Sequence, residues 1–116
     1  MNEHSKLVAS LFKPGQDIIN EMDPTKARLC HVAMGLSGEA GEILDAIKKH
    51  VMYNKELDMD NIKEELGDLE FFMEAIRQIL GMDREEILQA NIAKLSVRYA
   101  AGKYTNEQAQ ARADKV

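Results

Sequence analysis

Two acidic pairs carry the clearest chemical signal in the chain: Glu39 with Glu42, and Glu65 with Asp68. On a helix, an i, i+3 spacing brings two side chains to neighbouring places on one face. Grouped carboxylates offer hard oxygen ligands, which suit magnesium first and manganese second. Spacing alone is a weak signal, because Glu42/Asp45 and Asp83/Glu86 share it in a chain with 20 acidic residues. Most such pairs are solvated helix surface.

A basic row accompanies the acids. Asn91, Lys94 and Arg98 stand at i, i+3 and i+7, beside an apolar stripe of Leu88, Ile92, Leu95 and Tyr99. Such a row is ordinarily a solvated edge, but it could also clamp phosphates, with the Arg98 guanidinium offering a planar fork of donors. Lys49 lies seven residues after Glu42 on the same face and could reach a phosphate held at the acids. His31 shares that face; a lone histidine is more often structural, and as a functional residue it would contact substrate.

The elements that must position these residues read as helices. An amphipathic stretch with Leu7, Val8, Leu11 and Phe12 is interrupted by Pro14-Gly15, and a short segment with Ile18, Ile19 and Met22 follows. Asp23-Pro24 reads as an N-cap with proline at the first helical position. The next helix is predicted to run to about Val51, with a stripe of Leu29, Val32, Leu36, Ala40, Ile43 and Ile47. Tyr53 to Asp60 is polar and predicted as a loop. A further helix carries Ile62, Leu66, Leu69, Met73, Ile76 and Leu80 and ends at Gly81. Asp83 and Glu86 form a capping-box pattern opening a helix that runs to about Ala101; Gly102 breaks it, and Thr105 to Lys115 reads as a last short helix. No strand is predicted. The expected fold is an all-α bundle of four main helices with a short C-terminal one, forming a single domain over residues 1–116.

With Leu36 and Ile62 as the stripe centres, Glu39 and Glu65 fall about 60° off their stripes, and Glu42 and Asp68 about 120° off in the same sense. Facing the two stripes in an antiparallel hairpin then puts all four acids on one side. Without a cation, carboxylates gathered there would raise one another's pKa values. Gly35, Gly38, Gly41 and Gly67 interrupt these helices, each at a cost of up to about 1 kcal/mol relative to alanine. They suggest close approach to the backbone by a neighbouring helix or a ligand.

The net charge of −5 argues against nucleic-acid or membrane-surface binding. Cys30 is the sole cysteine, so no internal disulfide forms, and its apolar neighbours suggest a buried thiol. No apolar run is long enough to span a membrane and no secretory signal is apparent, which makes the cytoplasm the expected location.

Taken together, the motifs resemble a known family. Gly38-Glu39-Ala40-Gly41-Glu42 and Glu64-Glu65-Leu66-Gly67-Asp68 look like the ExxE…ExxD signature of the all-α, MazG-like nucleotide pyrophosphohydrolases, with 22 residues (43 to 64) between Glu42 and Glu65. Asn91 to Tyr99 resembles that family's NxxKLxxRY segment, and the likeness covers roughly Leu29 to Tyr99. The resemblance implies a helical bundle assembled as a homodimer or homotetramer. It implies magnesium held by Glu39, Glu42, Glu65 and Asp68, and a substrate contacted by Asn91, Lys94, Arg98 and Tyr99. The implied reaction splits a nucleoside triphosphate between its α and β phosphates. In this reading Glu39 orients or deprotonates the attacking water, while Lys94, Arg98 and Lys49 stabilise the leaving pyrophosphate.

Two other readings stay open from sequence. The chain could act on phosphoribosyl-ATP, or it could be a helical interaction module whose acids are surface charges. A di-iron bundle is disfavoured because no ExxH pair flanks the acids.

Overall fold

The computed structural model describes residues 1–115. Their elements are α1 (Glu3–Leu11), α2 (Gly15–Glu21), α3 (Pro24–Met52), α4 (Met59–Leu80), α5 (Arg84–Arg98), α6 (Asn106–Ala111) and a 3-10 turn (Ala113–Lys115). No strand occurs among the described residues, so the fold is all-α.

Local chemistry sets the boundaries. The Asp23 side chain accepts the Lys26 backbone N–H at 2.8 Å, with Pro24 at the first helical position. Asp58 does the same for Asn61 at 3.0 Å, so α4 begins just before the predicted loop would have ended. Gly81 closes α4 in the left-handed conformation at φ 67°. Asp83 caps α5 by accepting the Glu86 N–H at 3.2 Å. Two boundaries depart from the sequence expectation. Helix α5 stops at Arg98, where Tyr99 leaves helical geometry. The last segment is two pieces, because Arg112 takes a left-handed φ of 49° between α6 and the 3-10 turn.

The main packing is between α3 and α4, an antiparallel hairpin joined by residues 53–58. Its seam differs from the predicted stripes. On α3 the inward line is Leu29, Val32, Leu36, Glu39, Ile43 and Ala46; on α4 it is Ile62, Glu65, Leu69, Phe72 and Ile76. Glu39 and Glu65 thus occupy the seam itself rather than its margin. The apolar residues expected there, Ala40, Ile47 and Leu66, face outward, with Ile47 45% and Leu66 49% exposed.

Two further expectations are corrected. Cys30 is exposed, because it follows Leu29 by one residue and so points about 100° away from the seam. Of the four helix-interior glycines, only Gly35 is closely approached: a Cβ there would land in the Phe72 ring, whereas Gly38, Gly41 and Gly67 face open space.

Among the described residues, Val32 and Ala46 are the only buried apolar ones; Arg77 is buried too, bonded to Glu74 at 2.9 Å. The radius of gyration is 20.1 Å, against about 13 Å for a compact chain of this length. The second packed unit is local, with α6 and the 3-10 turn folded back on α5. No helix of the described residues is long and apolar enough to cross a membrane.

Candidate functional site

Helix α3 presents Glu39 and helix α4 presents Glu65 and Asp68, and one carboxylate oxygen from each lies within 4.8 Å of the others. The antiparallel pairing explains this convergence. Gly35 sits one turn before Glu39, Phe72 sits one turn after Asp68, and the Phe72 ring lies on the Gly35 backbone. That contact lies one turn from the acids on both helices. Glu42 is exposed and stands outside the trio, yet close enough that its charge acts on Glu65.

The electrostatics match the geometry. Glu65 is pushed up to about 7, first by its hydrogen bond to Glu39, then by desolvation, then by the charges of Glu39, Glu42 and Asp68. A carboxyl raised this far sits among surplus negative charge. Three oxygen donors in a small, partly buried space form a donor set that fits a hard divalent cation.

The remaining sequence candidates lie in other surroundings. Lys49 pairs with Asp45 at 2.9 Å along the outer face of α3, and both side chains are about half exposed. The Asp45 hydrogen bond and charge raise the Lys49 pKa. His31 meets the edge of Phe72, ring centroids 6.0 Å apart. It lines a cleft of about 180 Å³ with Arg28, Val32, Phe71 and Phe72. Asn91 and Lys94 are exposed on α5, which packs chiefly on the C-terminal segment rather than on the hairpin. Tyr99 lies 5.6 Å from Tyr104, ring to ring, beside a cavity of about 440 Å³ also lined by Ile92, Leu95 and Lys103.

Arg98 is the candidate whose surroundings differ most from expectation. Its guanidinium is engaged by Asp114, which accepts from Nε at 2.9 Å and lies 2.9 Å from Nη2. Burial pushes the Asp114 carboxyl up, but the Arg98 hydrogen bond and charge outweigh this and hold it below its ordinary value. Sequence reading missed Asp114, because nothing periodic links positions 16 residues apart.

The family model for the MazG nucleotide pyrophosphohydrolase domain matches residues 30–101. The chain belongs to the MazG family. The matched region contains both acidic pairs and the whole of α5. MazG membership implies a nucleotide pyrophosphohydrolase. The chain is also similar to the Gene 37 protein of Mycobacterium phage L5, with 33% identity over 79 residues, covering 64% of this chain and 68% of that protein. No solved structure gives a significant match.

Proposed function

We propose that this MazG chain hydrolyses nucleoside triphosphates in the presence of magnesium, releasing a nucleoside monophosphate and pyrophosphate. The observation that carries the reading is the convergence of Glu39, Glu65 and Asp68 across the α3–α4 seam. These three, with Glu42 at their edge, would hold the cation, and manganese has the same ligand preference. Bound magnesium would neutralise phosphate charge and make a water more acidic.

The protein groups supply the rest. Glu39, beside Glu65 in the seam, is the carboxylate proposed to orient the attacking water and take its proton. Lys94, and Arg98 once free of its carboxylate partner, would hold the distal phosphates as one leaving group. Asn91 shares the face of α5 with them, Tyr99 follows Arg98 at the helix end, and both would contact the nucleotide. His31 and Lys49 stand on α3 before and after the acids and would act from the two ends of the site.

The proposed working unit is a homodimer or homotetramer of a single 1–116 domain. Supporting this are the large radius of gyration and the exposed apolar residues Leu44, Ile47, Leu66 and Phe71 on the hairpin, since faces of this kind ordinarily pack against another helix pair.

Turnover of nucleoside triphosphates with magnesium in oxygen-18 water tests the reaction. The label is expected in the monophosphate, with pyrophosphate as the co-product. Label in the pyrophosphate would move the attack to the β-phosphorus, and release of orthophosphate alone would overturn the assignment.

A further inference from the structure

The segment after α5 is a hook. Tyr99 ends the helix, Gly102 turns the chain at φ 72°, and α6 and the 3-10 turn come back along α5. The ion pair between the two limbs of this hook is Arg98 with Asp114. It is sheltered: the Arg98 side chain is 15% exposed and that of Asp114 is 9% exposed. While it is closed, Nε and Nη2 stand against the Asp114 carboxylate, and a phosphate would have to displace that carboxylate to reach them.

The pair is also incompletely satisfied. A guanidinium fork is best matched by two acceptor oxygens. Here the single oxygen Oδ1 of Asp114 accepts from Nε and also stands nearest Nη2. Nη2 is buried and, despite that short distance, makes no well-aligned hydrogen bond among the described residues. A polyphosphate offers several oxygens with greater charge and could satisfy both nitrogens together.

We infer that Asp114 is an internal stand-in for substrate phosphate: its carboxylate caps Arg98 in the resting chain, and residues 99–115 release from α5 when a polyphosphate takes the guanidinium. This rests on the reading above that Arg98 contacts substrate. Its consequence is regulatory. Closing the hook sets aside a fraction of the chains, and the apparent affinity for nucleotide falls by that fraction. Occupation of Arg98 by phosphate and closure of the hook exclude each other.

The test uses the full chain and two readouts. Trypsin can cut after Lys103 and Arg112, both within the hook. Inorganic pyrophosphate with magnesium is expected to speed cleavage after Arg112 by about threefold or more, through the larger open fraction. Unchanged or slower cleavage would overturn the inference. Asp114→Asn keeps the side chain's shape and one acceptor oxygen but removes the charge. It is expected to lower KM for the nucleoside triphosphate by about three- to tenfold with kcat within about twofold. Circular dichroism would check that the variant remains helical, and the wild-type cleavage assay stands independently of it. A raised KM in Asp114→Asn would mean that the carboxylate positions Arg98 for substrate, the opposite of a cap. Arg98→Ala separates the two claims: an unchanged KM there would remove Arg98 from the substrate site. A raised KM in Arg98→Ala, with Asp114→Asn and the cleavage rates unmoved, would sink the hook inference alone.

Discussion

The Phe72 ring of α4 rests on the bare backbone of Gly35 in α3, one helical turn from Glu39 on its own helix and from Asp68 on the other. Gly35→Ala would drive a methyl group into that ring. Overpacking of this kind costs about 1–3 kcal/mol, whereas replacing a helix-interior glycine by alanine returns up to about 1 kcal/mol. Net destabilisation is expected, seen as a lower thermal midpoint. Gly67→Ala is the control, since a Cβ there meets nothing, and its midpoint is expected to hold or rise. Equal midpoints for the two variants would show that the Phe72 ring yields freely.

A second expectation concerns pH. The Glu65 carboxyl is raised in the folded chain from 4.5 to about 7. The folded state therefore binds this proton more tightly than the unfolded one, and the associated stability is fully present below about 4.5 and lost as pH rises through about 7. Glu65→Gln keeps the shape without the charge. In metal-free protein, the difference in thermal midpoint between Glu65→Gln and wild type should move in the variant's favour across that window. A pH-independent difference would mean that the carboxyl titrates normally.

Magnesium should reverse that trend. A cation that binds only the folded state stabilises it by about 2.7 kcal/mol at a hundred times its dissociation constant. At pH 8 the wild-type midpoint is expected to climb with magnesium, while that of Asp68→Ala should respond weakly. Turnover by Asp68→Ala should fall by about 10²-fold or more, and Glu42→Ala, outside the trio, should lose less. Indifference of the wild-type midpoint to magnesium and manganese alike would favour the reading of these acids as surface charge.

Assembly gives a fourth test. The chain mass is 13.1 kDa, and light scattering at micromolar concentration is expected to return two or four times that value. Phe71→Glu places a charge on an exposed apolar position of the hairpin and should shift the mass toward the monomer. A wild-type monomer would contradict the proposed assembly.

How much of this was legible in the sequence depended on the range of each interaction. Asp23-Pro24, Gly81 and Asp83 announce helix ends through contacts within four residues, and those ends lie where the sequence placed them. Choosing the buried row was harder. Helix α3 carries two rows that share Leu36 and Ile43: one continues through Ala40 and Ile47, the other through Glu39 and Ala46. Hydrophobicity favours the first, yet the second faces α4, leaving apolar side chains outside and acids within. Equal offsets predict all four acids together; Glu39, Glu65 and Asp68 do converge, while Glu42 stands outside and the two glutamates lie in the seam rather than beside it. Four helix-interior glycines suggest close approach from the sequence, yet only Gly35 of the four has a neighbour among the described residues. The Arg98–Asp114 pair was invisible, because the turn at Gly102 and the reversal at Arg112 that create it follow no periodic pattern.

The scarcity of buried apolar residues, Val32 and Ala46 alone among those described, has a consequence for abundance. With the proposed assembly, folding and association become one equilibrium, and the folded fraction depends on how many chains are present. Dilution would then act as a denaturant. A cell making few copies would hold a larger unfolded share, open to proteolysis, so the quantity of active enzyme would rise more steeply than the quantity synthesised. Such a chain would carry its own dosage threshold.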